Sequence, residues 1–202
     1  MLFFEPNYIF VFLPLVLIFF YFSQKKYDLK ILLIISSLVF YSYWNVSYIF
    51  LLLLFVFSNF IFGKFLIKNS KKFLLFLAIS YNILILAAFK YIDFLILNIN
   101  VFFSTNIENL NLPFPLAISF ITFQIIAFLI NCYDKEILKI NFKEFFLFVC
   151  FFPQLIAGPI VMYNNMVNQF KSKNLISFNI LNFNTGLIIF FICFIKKIYF
   201  AD

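Results

Sequence analysis

The sequence contains no histidine and no arginine; all 15 of its basic residues are lysine. Charged residues make up only 11% of the 202-residue chain, with three glycines, three cysteines and one tryptophan. Each shortage closes off a class of function. Without histidine, no side chain titrates near neutrality to serve as a general base. With only Gly63, Gly158 and Gly186, no glycine-rich loop can wrap a phosphate, and no serine sits in a nucleophile elbow. Cys132, Cys150 and Cys193 lie in or beside apolar runs without a CxxC pair. They read as small packing residues, and no zinc site is possible at ordinary ligand spacing. The N-terminus also lacks the basic stretch of a cleaved leader. Glu5 precedes the first apolar run, Lys25 and Lys26 follow it, and Tyr21-Phe22-Ser23-Gln24 offers no small-residue cleavage site. The first segment is therefore expected to stay attached.

What is present is oil. Hydrophobic residues account for 65% of the chain and mean hydropathy is +1.07, whereas a soluble domain carries about 45–50% apolar and about 25% charged residues. A globule of this composition could not cover its apolar surface with polar side chains, and large apolar patches associate. Lipid removes that penalty. The 37 phenylalanines and the lysine-only basic set fit an A/T-rich coding sequence, so Phe-for-Leu choices are not functional signals. A net charge of +7 would suggest nucleic acid for a soluble protein. Here the lysines cluster between apolar runs, and no span-free stretch could form a nucleic-acid-binding module. The partner implied is the bilayer, and no nucleic acid is expected.

An apolar helix needs about 20 residues to cross a hydrocarbon core of roughly 30 Å. Candidate segments fall at 7–22, 30–45, 47–67, 73–92, 114–133, 145–162 and 180–200. The fold class expected is all-α: a polytopic transmembrane helical bundle of six to seven membrane segments, forming one unit over 1–202. If the first segment enters from outside, the lysines of 23–30, 64–72 and 134–144 all fall in the cytoplasm. The turn at Trp44-Asn45 and the stretch 93–113 then face out with almost no lysine, as the positive-inside rule demands. Lysine placement does not decide the last third. If 145–162 crosses, Lys171 and Lys173 lie outside and Lys196 and Lys197 inside; if it is re-entrant, the pairs exchange sides. Two prolines and a glycine in Phe152-Pro153-Gln154-Leu155-Ile156-Ala157-Gly158-Pro159 interrupt helical hydrogen bonding. At membrane depth such backbone survives only against protein or a wet cavity, which favours the re-entrant form.

Polar residues inside the apolar runs are few. Lys90 and Asp93 are close enough to pair on one helix face, or Lys90 can snorkel to the interface. On the fifth segment Gln124, Ala127, Asn131 and Asp134 share one side, with Ser119 and Thr122 at its start. Such a strip faces other helices or a wet cavity; simple interhelical hydrogen bonding explains it as well as a pore does. Trp44, Tyr41, Tyr43 and Tyr48 read as an interfacial aromatic belt. Residue chemistry alone names no reaction.

The same residues carry a family resemblance. Ser119-Phe120-Ile121-Thr122-Phe123-Gln124 resembles the SFxTFQ signature of bacterial membrane-bound O-acyltransferases, in the alginate O-acetylase branch. Phe151-Phe152-Pro153-Gln154-Leu155-Ile156-Ala157-Gly158-Pro159-Ile160 is similar to that branch's FFPQLxAGPI motif, and Lys196-Lys197 with Ala201-Asp202 to its FKKxxxAD segment. Gly186 matches the glycine before that segment. Ser37-Leu38-Val39-Phe40-Tyr41, Trp44-Asn45 and Phe89-Lys90-Tyr91 match in order along the chain. FFPQLxAGP is specific, since an apolar background rarely yields two prolines, a glutamine and a glycine in that frame. The chain departs from the pattern at Asn131, Asp134, Met162 and Cys193, which weakens charged substrate contacts near the fifth and sixth segments.

The resemblance implies transfer of an acetyl group from a cytoplasmic donor, acetyl-CoA or an acyl carrier protein, to hydroxyls of an exported, alginate-like cell-surface polysaccharide. It implies no bound cofactor or metal, a multi-pass place in the bacterial inner membrane with the N-terminus outside, and periplasmic or extracellular acetylation partners. Ser119, Thr122, Gln124, Asn131, Pro153, Gln154, Gly158, Pro159, Lys196 and Lys197 become the candidate motif and pore-lining residues. The family's catalytic histidine lies beyond the position of Asp202, so this polypeptide alone is expected to be inactive. Two rival readings remain at this point: a non-enzymatic scaffold or transport subunit of an envelope export complex, and a gene fragment without function.

Overall fold

A computed structural model describes residues 3, 5–23, 29–156, 158, 160–171, 179–197 and 199. Among them the chain is all-α, with no strand. A π-helical turn, Tyr8–Phe12, runs into α1, Leu13–Ser23. There follow α2, Leu29–Ser42, α3, Ser47–Lys68, and α4, Lys72–Phe103. A long connection leads to α5, Ile118–Tyr133. Three short helices come next: α6, Phe142–Cys150, α7, Phe152–Leu155, and α8, Tyr163–Lys171. The last is α9, Ile180–Lys196.

Two of these helices, α3 and α4, are long and apolar enough to cross a membrane. At 1.5 Å per residue, the 32 residues of α4 extend about 48 Å. The span expected to end at residue 92 therefore runs on to Phe103. No glycine or proline interrupts the run, and Asp93 does not cap it; the helix ends where Ser104 turns left-handed, at φ 50°. The distance from Lys72 to Lys90 is roughly 27 Å, close to one hydrocarbon thickness.

The central packing joins α3, α5 and α6. Phe60, Phe128, Phe145 and Phe148 are buried there, with the Phe128 and Phe145 ring centroids 4.6 Å apart. Gly63 lets α3 approach α5 closely: a Cβ at that position would lie 2.8 Å from Phe128 Cε1. Between α3 and α4 the buried pair Asn59 and Asn82 acts as glue. Asn82 Nδ2 donates to Asn59 Oδ1 at 2.7 Å, and Ser58 and Tyr81 meet at 3.0 Å one residue away on each helix. The aromatic belt expected at the α2–α3 turn is divided. Trp44 and Tyr43 are half exposed, whereas Tyr41 is buried in the core. None of the residues of α9 is buried, so this helix stands at the edge of the bundle.

Candidate functional site at the break between α6 and α7

The sixth apolar run does not form one helix. After Cys150 the chain turns extended at Phe151 (ψ 111°), and Pro153 supplies no N–H to the ladder. The bond that would have run from the Phe152 N–H to the Phe148 carbonyl is replaced on both sides. The Phe152 N–H donates to Ser37 Oγ of α2 at 3.2 Å. The Phe148 carbonyl accepts from Gln124 Nε2 of α5 at 2.8 Å. Both bonds are buried. Ser37 Oγ in turn donates to the Leu33 carbonyl at 2.8 Å, so one hydroxyl both gives and accepts. These two groups of the broken backbone are satisfied by protein, as apolar surroundings require.

Around the break the packing is aromatic. Phe152 meets Phe12 edge-on at 5.2 Å and Phe40 at 6.0 Å. Beyond it, Pro153 forms one wall of a cavity of about 360 Å³. Phe3, Tyr8, Phe190, Cys193, Phe194 and Lys197 line the rest. The structure thus gathers the start of the chain, the broken run and the end of α9 at one place. The cavity is mainly apolar, and among the described residues its lining includes the Tyr8 phenol, the Cys193 thiol and the Lys197 ammonium.

The other end of α6 is held by charge. Glu144, nearly buried, accepts from Lys30 Nζ of α2 at 2.7 Å and lies 3.5 Å from Lys171 Nζ at the end of α8. Lys171 beside Glu144 means that the chain leaves along α6, turns at α7 and comes back along α8. Asn141 caps α6 by accepting from the Lys143 N–H at 2.9 Å. The start of α2, the start of α6 and the end of α8 therefore meet at one level. From Lys30 to Ser37 is roughly 10 Å along α2, so the break lies about that far along α2 from the charged cluster.

The sequence candidates disperse around this centre. Gln124 is at it; Thr122 is buried but returns its hydroxyl to the Ile118 carbonyl of its own helix at 2.8 Å. Ser119 is half-buried at the start of α5. At the other end Asn131 is half-buried, its carbonyl accepting from the Glu136 N–H at 3.0 Å, and Asp134 is exposed. Pro153 and Lys197 share the cavity, Gln154 is half-buried, and Gly158 and Lys196 are exposed. Pro159 lies outside the described residues, as do Ala157, Lys25, Lys26, Lys173 and the Ala201-Asp202 pair.

The pairing of Lys90 with Asp93 is not what the structure contains. Asp93 Oδ1 accepts from the Leu110 N–H at 2.8 Å and the Asn111 N–H at 3.3 Å, fixing the loop after α4, while Lys90 Nζ sits 5.5 Å from the Tyr91 ring. Two unpaired backbone donors compete better for a carboxylate than a lysine that can reach water. Sequence reasoning missed Ser37 and Glu144. Their signals were a serine pair inside an apolar run, and one acid at the entry to another. Among the described residues no three His, Cys, Asp or Glu side chains gather to hold a metal.

Fold and site define an all-helical membrane protein organised round an interrupted segment. The chain is 36% identical over its whole length to the peptidoglycan O-acetyltransferase of Helicobacter pylori, covering 45% of that protein. It is 31% identical to the "Probable alginate O-acetylase AlgI" of Pseudomonas putida and 30% to that of Pseudomonas aeruginosa, covering all of this chain and 43% and 40% of theirs. The chain is thus related throughout to the N-terminal part of membrane-bound O-acyltransferases of the alginate O-acetylase-like branch. It spans less than half the length of these relatives. No family model matches the sequence, and no solved structure matches the chain.

Proposed function

We propose that this chain forms the N-terminal part of a membrane-bound O-acetyltransferase that acetylates hydroxyls of an exported cell-surface polysaccharide. The observation that carries the reading is the full-length relationship to a peptidoglycan O-acetyltransferase and to alginate O-acetylases. Peptidoglycan and an alginate-like polymer are the two acceptors these relatives suggest. The acetyl donor is cytoplasmic, acetyl-CoA or an acyl carrier protein. Ser119, Thr122, Gln124, Asn131, Pro153, Gln154, Gly158, Pro159, Lys196 and Lys197 contribute to one wall of the path between donor and acceptor. The chain has no histidine, so the base that deprotonates the acceptor hydroxyl comes from residues outside it, and the chain alone does not turn over.

In this reading the protein lies in the bacterial inner membrane with its N-terminus outside. The Lys30–Glu144–Lys171 cluster marks the cytoplasmic level, and 145–162 dips in and returns rather than crossing. Support comes from the salt bridges that join the two ends of the hairpin and from the lysine bias of the neighbouring turns. Lys197 then belongs to the outer side with Phe3 and Tyr8, the arrangement around the cavity.

The test is a chimera. This chain replaces the matching N-terminal part of the Helicobacter pylori protein in cells lacking that enzyme, and ester-linked acetate on peptidoglycan is measured. Restored acetylation supports the proposal. A chimera that inserts at normal levels yet leaves both peptidoglycan and exported polysaccharide unacetylated overturns it.

A further inference from the structure

We infer that Ser37 and Gln124 are a pair of positioning residues that jointly hold the helix break open and so set the place of Pro153 in the cavity wall. The inference rests on the proposed enzyme only for its functional consequence; the geometry stands on its own. Of the helical bonds lost at the break, the one between the Phe152 N–H and the Phe148 carbonyl has had each half taken by a different helix. Ser37 receives the orphan donor of Phe152, and Gln124 supplies a donor to the orphan acceptor of Phe148. If either side chain were lost, its backbone partner would be left buried and unpaired. The nearest relief is then for the Phe152 N–H to swing back to the Phe148 carbonyl. That narrows the break, although the missing Pro153 N–H keeps the next turn open, and it shifts Phe152 and Pro153 relative to the cavity wall. Because the two side chains guard the two halves of one bond, loss of one removes the purpose of the other.

Residue chemistry sets the specificity. Position 37 needs an oxygen that can accept from Phe152 while donating to Leu33, which Ser and Thr provide and Ala or Val do not. Position 124 needs a long neutral donor able to reach 2.8 Å from a carbonyl on the adjacent helix. The sequence marked Gln124 as a candidate but not its partner Phe148, and it did not mark Ser37 as a site residue. Ser37 sits among apolar residues of α2, separated from Phe152 by 115 positions.

The test uses accessibility in the intact chain in native membranes. Cys193 is replaced by Ser, leaving the buried Cys132 and Cys150, and Gly158→Cys is the reporter. Gly158 is exposed, and a Cβ there meets Gln154 Cγ at an ordinary 3.4 Å. Ser37→Val and Gln124→Leu should each change the maleimide labelling rate of the reporter by about tenfold, as expected for one lost buried hydrogen bond. Ser37→Thr should stay within about twofold, since its hydroxyl remains. The double variant should move no further than the larger single change, because the sites are coupled. If Ser37→Val fails to insert, the smaller Ser37→Ala carries the same comparison with Thr. Equal labelling in Thr and Val variants, or additive effects in the double variant, would overturn the inference. Labelling needs no acetyl transfer, so an inactive chimera counts against the proposed function and leaves this result untouched.

Discussion

Replacing Gly63 by alanine should loosen the bundle at its centre, although alanine is the better helix former. A Cβ at Gly63 would stand 2.8 Å from Phe128 Cε1, 3.0 Å from Phe128 Cζ and 3.4 Å from Ile140 Cδ1. Carbon atoms rest at about 3.5–4.0 Å, so the ring must retreat by roughly 0.7 Å or α3 must leave α5. The ring has little room. Phe128 is 1% exposed, and its ring packs against Phe145 at 4.6 Å, Tyr163 at 5.2 Å and Phe148 at 5.9 Å. Overpacking of this kind costs about 1–3 kcal/mol. The gain in helix propensity returns about 1 kcal/mol, leaving a net loss of up to about 2 kcal/mol. For a chain of this length that lowers Tm by up to about 8 °C.

The assay is thermal unfolding of the purified chain in mild detergent, with Gly186→Ala as control. Nothing lies within 4 Å of a Cβ at Gly186, so that change should leave Tm unaltered or slightly higher. On a Phe128→Leu background, Gly63→Ala should lose most of its effect, since the ring end it strikes is gone. Equal Tm values for Gly63→Ala and Gly186→Ala would refute the argument that close approach at residue 63 determines the packing. The consequence reaches the break, because Phe128 lies one helical turn from Gln124 on the same face of α5.

Other perturbations follow from the same geometry. Glu144→Gln removes the carboxylate shared by Lys30 and Lys171; partial exposure of the lysines limits the loss to about 1–2 kcal/mol, read as faster hydrogen exchange in α8. Unchanged exchange there would mean that apolar packing alone holds α8. Asp93→Ala should speed exchange of the Leu110 and Asn111 amides by about fivefold to tenfold, whereas Lys90→Gln should leave them as they are. An equal effect from both would restore the pairing of Lys90 with Asp93. For the membrane arrangement, a cysteine at Lys171 should label from the cytoplasmic face and one at Lys196 from outside; the reverse pattern, Lys171 from outside and Lys196 from the cytoplasm, would rule out the re-entrant path.

The sequence by itself determined that this is a membrane protein made of helices, where most of them begin and end, and that the run from Phe152 to Pro159 cannot be an ordinary helix. These are local properties: hydropathy, the spacing of lysines, and the missing N–H of proline act within a few residues. The motifs Ser119–Gln124 and Phe151–Ile160 were legible for the same reason. Tertiary structure decided what lies far apart in the chain. It gave the carboxylate of Asp93 to Leu110 and Asn111 instead of Lys90, carried α4 on to Phe103, and buried Tyr41 where a surface belt was expected. It also brought Ser37 to Phe152, Gln124 to Phe148 and Lys30 to Glu144 across gaps of 115, 24 and 114 residues. No periodicity encodes those meetings, because a buried polar group takes whichever partner the packed helices put within reach.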